Sequence, residues 1–481
     1  MQSQEPETNS HPSDSLTIDL DVFDDVSKLN NLLREMHLIS EEGDKLQSCF
    51  LKTVSKTTYV ATIPTELVRS TDENTAVFTV DNKFHYLLYI YLSCKLPAIK
   101  LKKQFLESEQ FEICWQNNIG HNIIESISQC FDDVANQTFD SKYLDIHSQF
   151  FAPSGAGKRE MYRERIGDDK RLNGWSKFLP QWGIKFTLPF FNNKNVSQAI
   201  PLYKCSKYRI QYKAKFKLNL KDLIRIRARD NKDSNDWRCI KFNMKYVDTN
   251  ANNGKIDLPR VWGRYANVTK YELDQSKKHK HVFYIEDVIR HTGETDKDGC
   301  ADLILKSKDP VKAIFPLFQK KNDSVNLSWP SNYTTNTVDI DKGWNPLEQL
   351  SLKYGAISRI GWLDGGHFDN IESIKFFPSS PYHRGYTAIS IAIDPNTSRK
   401  TSSGRIFDNE LDCKLYVKVG NTDPYNIVPS TKSKDVVVED DGRVIIPELE
   451  DSTSMQIVDQ NIDRYVLYVY LLVTKKISMN D

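Results

Sequence analysis

The sequence predicts an all-β protein built as two β-sandwiches in tandem, and three observations carry that prediction. Short runs of β-branched and aromatic residues recur along most of the chain, separated by Asn, Asp, Gly and Pro clusters. Long stretches of helical periodicity are few. The chain has 481 residues, more than one hydrophobic core usually serves, so two cores are expected.

Residues 1–44 stand apart as an acidic N-terminal extension, with eleven acidic residues against Lys28 and Arg34, a net of −9. Within it Val22, Val26, Leu29, Leu33 and Met36 recur at helical spacing, which predicts one short amphipathic helix able to dock on a partner. From Cys49 onward the texture is that of strands. The runs "VFTV", "FHYLLYIYLSCKL", "FEICW", "HNIIESISQCF", "IKFTLPFF" and "YRIQYKAKFKL" are assigned to a first sandwich over 45–230. The runs from "IKFNMKYV" through "VKAIFPLF" and "ELDCKLYVKV" to "RYVLYVYLLV" are assigned to a second over 236–481, with the loop-like "ARDNKDSNDWR" between them. Two connections, 151–180 and 320–345, exceed the roughly 12–15 residues of an idle loop and are expected to build surface features or contacts.

One strand shows the alternation most sharply. In "YRIQYKAKFKLNL", residues 208–220, every even position is apolar, while Arg209, Lys213, Lys215 and Lys217 fall at odd ones. Strict alternation is the period of an extended strand, so one face is buried and a row of cations lies on the other. A nucleic-acid groove, a membrane surface, a subunit contact and solvent all fit such a row.

Bulk charge narrows the choice. Lys+Arg at 65 against Asp+Glu at 64 leaves a net charge of +1, which is not that of a protein coating nucleic acid. The eight cysteines include no CxxC pair, which argues against a zinc ribbon and against a disulfide-dense secreted domain and fits synthesis in a reducing compartment. The opening "MQSQEPETNSHPSDS" lacks the pattern of a signal peptide, and no run approaches about 18 apolar residues, so a soluble chain is expected.

"APSGAGKRE" lacks the first glycine of a phosphate-binding loop and has Arg159 where Ser or Thr belongs, so an exposed Gly-rich loop around Lys158 is expected. His279 and His281 lack a third metal ligand and read as exposed turn residues. Asp364, His367 and Asp369 surround an Asp-Gly-Gly turn signal. The sequons at Asn136, Asn195, Asn267, Asn322, Asn326, Asn332 and Asn396 read as chance matches in an Asn-rich chain. No catalytic, cofactor or metal residue is therefore assigned, and the profile is that of a binding or building protein.

Longer segments carry a resemblance. "CWQNNIGHNIIESISQCFDDVANQTFDSKYLDIHSQFFAP", residues 114–153, resembles the first-domain signature of the major capsid proteins of nucleocytoplasmic large DNA viruses, in particular the iridovirus type. "LPFFNNKNVSQAIPLYKCSKYRIQYKAKF" resembles the family's Leu-Pro-Phe-Phe, Ala-(Ile/Leu)-Pro and following strand, and "FNMKYVDTN" the opening strand of its second jelly roll. "DPVKAIFPLFQ", "NPLEQLSLKYGAISRI" and "GYTAISIAIDPNTSRKTSSGR" follow in the family's order, so the resemblance runs from about residue 48 to the end. The positions that carry the pattern are Gly120, His121, Asn122, Asp145, Pro189, Pro201, Asp248, Pro310, Pro346, Glu348, Arg359, Pro395 and Gly404. After Gly404 the chain departs, reading "RIFDNELD" where the family shows an Asn-Phe-Ser-Arg run.

The resemblance implies a double jelly roll: two tandem eight-stranded sandwiches with short helices in loops and an N-terminal extension. It implies a non-enzymatic subunit of the virion, made in the host cytoplasm and forming homotrimeric, pseudo-hexameric capsomers that tile an icosahedral shell. Its partners are then other copies of itself, minor capsid and penton proteins, and internal membrane proteins reached through the N-terminus, with no cofactor and no direct nucleic-acid contact. Lys213, Lys215 and Lys217 are expected to face a protein contact, and Val22, Val26, Leu29 and Leu33 to dock on the inner side of the shell. The alternatives are a related scaffold or minor shell protein, and a tandem β-sandwich carbohydrate-binding protein or glycosidase. The last needs paired carboxylates in an aromatic cleft, for which Trp175, Trp182, Trp262, Trp329, Trp344 and Trp362 are the aromatic candidates.

Overall fold

The computed structural model describes residues 57–64, 66–69, 74–395, 404–407, 412–420, 437–438, 444–445 and 464–479, interrupted at 81, 153–155, 195, 208, 230–236, 250–253, 279–280, 322–329 and 337–339. The chain divides into Met1–Ser48 and Cys49–Asp481, and every described residue belongs to the second unit. The acidic extension, with Val22, Val26, Leu29 and Leu33, lies outside the described residues.

Two antiparallel sheets form the first sandwich. One runs in the order Thr57–Pro64, Arg260–Val268, Tyr86–Leu96 and Trp182–Thr187, with Ile200–Pro201 also on Tyr86–Leu96. The other runs Glu66–Arg69, Thr75–Thr79, Ile210–Phe216, Ile124–Phe131 and Val134–Asp140. Ile210–Phe216 holds the middle of its sheet, and its alternation is realised in space: Ile210, Tyr212, Ala214 and Phe216 enter the core, while Lys213 and Lys215 point away. Gln211, on the odd row, is nonetheless buried.

The expected boundary between the sandwiches is corrected by pairing. Arg238–Ile240 pairs with Ile224–Ala228, Val247–Thr249 with Ile99–Leu101, and Arg260–Val268 inserts between Thr57–Pro64 and Tyr86–Leu96. The segment "FNMKYVDTN" and the strand after it thus complete the first sandwich instead of opening the second. Packing is the reason: Val261, Tyr265 and Ala266 are buried, and Tyr265 stacks on Phe84 with ring centroids 4.8 Å apart. The change of sheet falls after Val268.

The second sandwich faces a sheet of His281–Glu294, Tyr465–Met479, Ser307–Lys320 and Ile389–Ser390, with Arg405–Phe407 also on Ser307–Lys320, against one of Cys300–Leu305, Cys413–Val419, Leu347–Tyr354 and Ile357–Asp364. Cys413–Val419 alternates between buried and half-buried along its length, as a strand with one covered face must. Ser307–Lys320 is different, being buried at every position from Val311 to Gln319. Val311, Ile314 and Phe318 enter the second core, while Ala313, Phe315 and Leu317 belong to the cluster that includes the first sandwich. Its neighbour divides likewise: Leu467, Val469, Leu471 and Val473 face the second core, and Tyr470 and Leu472 the first. One sheet is therefore a wall shared by two cores, which explains why "VKAIFPLF" and "YVLYVYLLV" are nearly continuous apolar runs.

Aromatic rings fill the seam. Phe315 packs on Phe150 at 5.2 Å and on Phe377 at 5.5 Å, Phe150 on Phe377 at 5.1 Å, and Phe191 meets Phe283 at 5.2 Å. Phe150 closes the helix Ser141–Phe150, which starts where the Asp140 carboxylate accepts from Tyr143 N–H at 2.9 Å. We expect Phe315→Ala to destabilise the protein by about 3–5 kcal/mol, because it opens a cavity on the side of the wall facing the first sandwich. Ile304→Ala, at a half-exposed site on Cys300–Leu305, should change stability by less than about 0.5 kcal/mol. Urea unfolding compares the two, and equal midpoints would refute the shared wall.

Candidate functional site: a buried polar joint and the outward faces

The signature residues of 114–153 converge on one carboxylate. Asn118 takes the left-handed backbone at φ 50°, which its short polar side chain tolerates, and this aims the helical turn Ile119–Asn122 at helix Ser141–Phe150. Asp145 Oδ1 then accepts from Asn118 Nδ2 at 2.9 Å and lies 2.8 Å from His121 Nδ1, so the tautomer carrying its proton on Nδ1 donates to it. Asp145 Oδ2 accepts from the Tyr333 hydroxyl at 3.1 Å. Asn122 donates to Asn117 O at 2.6 Å and to Ser331 Oγ at 2.7 Å. Gly120 is needed for closeness: a Cβ there would stand 2.9 Å from Ile184 Cγ2 and 3.0 Å from Ile166 O.

Ser331 and Tyr333 come from the long connection 320–345, so the joint ties the first-sandwich signature to a segment beyond it. The other long connection does the same. Its helix Ala156–Ile166 carries Arg163, whose Nε donates to Asp168 at 2.7 Å, and Asp168 Oδ2 lies 2.9 Å from His383 Nε2. Burial raises the Asp168 carboxyl, but His383 and Arg163 outweigh it and hold the group at about 2. Gln149 accepts from Tyr382 N–H at 2.7 Å and from His383 N–H at 3.3 Å. Farther along the seam Glu286 pairs with Lys312 and Lys194, Asp287 with Lys475 at 2.5 Å, and Asp140 with Tyr470 at 2.7 Å and Arg290 at 3.0 Å.

A His–Asp pair suggests hydrolysis, but this one cannot perform it. The side chains of His121 and Asp145 are 0% and 1% exposed, so no substrate reaches them. The pair instead satisfies donors that would otherwise be buried without partners.

The remaining signature positions are dispersed. Pro310 and Gly404 meet, since a Cβ on Gly404 would stand 3.0 Å from Pro310 Cβ. Glu348 accepts from Lys418 at 3.1 Å, and Pro346 O accepts from Gly420 N–H at 3.0 Å. Pro201 pairs with Tyr86, Asp248 lies 3.3 Å from Lys100, Pro189 and Pro395 are buried, and Arg359 is exposed on Ile357–Asp364.

The lysine row finds carboxylates within its own chain. Lys213 Nζ donates to Asp133 at 2.5 Å and Lys215 Nζ to Glu125 at 2.8 Å, on residues beside or within the neighbouring strand. Lys217 is half-buried at the end of the row. Two of the three charges are thus already countered locally, and an oppositely charged partner adds little to them.

Other expectations shift. Gly157 and Lys158 are exposed as predicted, but in the first turn of helix Ala156–Ile166 and not in a loop, because the Arg- and Glu-rich run that follows favours helix. His281 is buried, not exposed, with Nε2 3.1 Å from the Tyr203 hydroxyl, because it begins the long strand His281–Glu294. His279 lies outside the described residues, as do Asn195, Asn322, Asn326, Asn396 and Trp329. Asp369 is structural: it accepts from Asn345 at 2.7 Å and from Thr387 at 3.3 Å, and burial raises it to about 6. The tryptophans serve separate elements: Trp175 meets Arg227, Trp182 Arg171, Trp344 Arg384, Trp362 Tyr416, and Trp262 Tyr91 and Ser93. Among the described residues no group of three or more His, Cys, Asp or Glu is placed to hold a metal, and no helix is long and apolar enough to cross a membrane.

Sequence reasoning missed Asp168, His383, Gln149 and Glu286. A lone Glu in "FYIEDVI" and a lone Lys in "DPVKAIF" interrupt apolar strand runs, and that was the available signal for the Glu286–Lys312 pair.

Comparison with known proteins agrees with this architecture. Residues 48–265 match the family model described as major capsid protein N-terminus, a span that ends within the strand Arg260–Val268. The major capsid protein of Lymphocystis disease virus 1 is 23% identical over 426 residues, covering 83% of this chain and 87% of the relative. That of Invertebrate iridescent virus 6 is 23% identical over 382 residues, covering 73% and 79%. Among solved structures, the PBCV-1 virus capsid superposes with a TM-score of 0.60 at 11% identity, covering 88% of this chain and 95% of that one. The Faustovirus major capsid protein gives 0.60 at 9%, covering 87% and 90%. The chain has the double jelly-roll fold, and its sequence is similar to those of iridovirus major capsid proteins.

Two outcomes follow for the joint. Asp145→Ala should cost about 3–5 kcal/mol, since it strands buried donors from three side chains, and thermal melting measures it. Asp168 has a folded value of about 2, below the ordinary 3.8, so its stabilisation is full above about pH 4 and is lost as pH falls toward 2. Asp168→Asn should therefore melt lower than the parent at pH 6, with the gap closing near pH 2. A gap independent of pH would show that the charge is immaterial.

Proposed function

We propose that this chain is a viral major capsid protein, a structural subunit that closes into homotrimeric, pseudo-hexameric capsomers and tiles an icosahedral shell. The observation that carries the reading is the shared wall: two sandwiches fused through one doubly buried sheet make a rigid building block with its polar joint sealed inside. The family of its relatives and the fold of its structural neighbours support the same reading. A near-neutral net charge of +1 suits a protein that packs against many copies of itself.

In this proposal the jelly rolls' outer edges and faces meet neighbouring copies, because open sheet edges must be covered and a cyclic trimer covers them with one repeated contact. The acidic extension 1–44 works on the inner side, where Val22, Val26, Leu29 and Leu33 dock on a neighbouring capsomer or minor capsid protein and the N-terminus reaches internal membrane proteins. Light scattering on the purified full chain should give the mass of three copies, and electron microscopy should show three-fold particles. A monomer at micromolar concentration would overturn the trimer. Low copy number in purified virions would favour a minor shell protein.

A further inference from the structure

One sheet face of the first sandwich carries cations that nothing nearby neutralises. On Tyr86–Leu96, Trp182–Thr187 and Arg260–Val268 the core takes Ile90, Leu92, Ile184, Phe186, Val261 and Tyr265, so the alternate positions point outward. Register joins those outward positions into one surface. Tyr89 lies opposite Arg264, Tyr91 opposite both Trp262 and Thr187, Ser93 opposite both Arg260 and Lys185, and Lys95 opposite Gly183. Side-chain contacts tie the pairs together: Arg264 donates to the Tyr89 hydroxyl at 3.1 Å, Trp262 Nε1 donates to Ser93 Oγ at 2.9 Å, and the Trp262 and Tyr91 rings are parallel within 3°. Lys95, Lys185, Arg260 and Arg264 are exposed, and no outward position on these three strands is acidic. Lys213 and Lys215 each hold a carboxylate, whereas these four cations hold none among the described residues.

We infer that this face binds a sulfated polysaccharide. The inference stands on the face itself and goes beyond the reading of the chain as a shell subunit. Cations without local partners keep their attraction for an incoming anion, which a paired row has already spent. Lys185 and Arg260 flank Ser93 from two strands away, roughly 10 Å apart at the backbone, so each can meet its own sulfate. Between Arg260 and Arg264 the Trp262 and Tyr91 pair offers a low apolar deck for the C–H face of a sugar ring, with the exposed Thr187 hydroxyl beside it. A Cβ on Gly183 would meet nothing within 4 Å, so the ground next to Lys95 is open. A single-stranded nucleic acid fits less well: it needs rings that project for splayed bases to stack on. Here all three rings are half-buried, and that of Tyr89 already carries Arg264 at 5.6 Å. A bilayer fits less well too, because no large apolar side chain of these strands is exposed to insert into it. Trp262 is thus one of the aromatic candidates for carbohydrate contact, on a face without the paired carboxylates of a glycosidase, so the face binds without cleaving.

The probe is a heparin decasaccharide titrated into the purified full chain by calorimetry, at about 0.1 M salt and again at higher salt. Lys185→Glu with Arg260→Glu, two exposed positions, should weaken binding by at least about tenfold. Lys213→Glu with Lys215→Glu should leave it unchanged. Trp262→Ala keeps all four charges and should weaken binding by a smaller factor at every salt concentration. No binding by the parent, or equal losses in the two charge-reversed variants, would overturn the inference and leave the shell reading standing. Oligothymidylate bound as tightly as heparin, and lost in the same variant, would replace the polysaccharide with nucleic acid. Near-ultraviolet circular dichroism checks the fold of each variant. If the Lys185, Arg260 variant does not fold, the parent alone decides: heparin should shield Lys95 and Lys185 from acetylation and leave Lys213 reactive, and equal shielding of all three would refute the site.

Discussion

The structure depends on one sheet whose middle is covered on both faces. His281–Glu294, Tyr465–Met479 and Ser307–Lys320 supply apolar side chains on one side to the second core and on the other to the cluster shared with the first sandwich. A sheet in that position cannot slip by one residue: a slip would exchange the two sets of side chains and leave both cores misfilled. It also cannot be exposed by separating the sandwiches without wetting Phe315, Tyr470 and Leu472 at once. Two sandwiches that each have an ordinary core therefore behave as one block.

Polar chemistry at the seam follows from that block. Burying an apolar wall drags nearby backbone and side-chain donors out of water, and each must find an acceptor. Asp145 answers for Asn118, His121 and Tyr333, Asp168 for Arg163 and His383, and Glu286 for Lys312 and Lys194. Each carboxylate joins residues far apart in sequence, so the networks orient the two halves more than they stabilise either alone. The long connections, which cost entropy to order, are kept because they deliver these partners: Tyr333 from one, Arg163 and Asp168 from the other.

The surface divides by the same logic. Where a strand's outward row already faces carboxylates of its own chain, as Lys213 and Lys215 do, its charge is neutralised locally. Where outward side chains are large and apolar, as along 357–393, water alone is a poor partner.

Much of the fold was legible from period and composition. Alternation in "YRIQYKAKFKLNL" decides which residues enter the core because a strand's side chains must alternate, whatever lies around it. The continuous apolar runs "VKAIFPLF" and "YVLYVYLLV" announce strands covered on both faces. The signature residues were legible as a pattern but not as a joint, since nothing along the chain says that His121, Asp145 and Tyr333 meet. Arg260–Val268 was assigned to the wrong sandwich for the same reason. Strand texture is local, whereas the choice of neighbour is settled by hydrogen-bonding edges and by where Tyr265 can be buried. His281 reversed too: as one of two histidines among lysines it reads as surface, and only the packing of its strand against Tyr203 takes it inside. Local periodicity determined what each segment is. Long-range burial, which no segment carries within itself, decided what each segment touches.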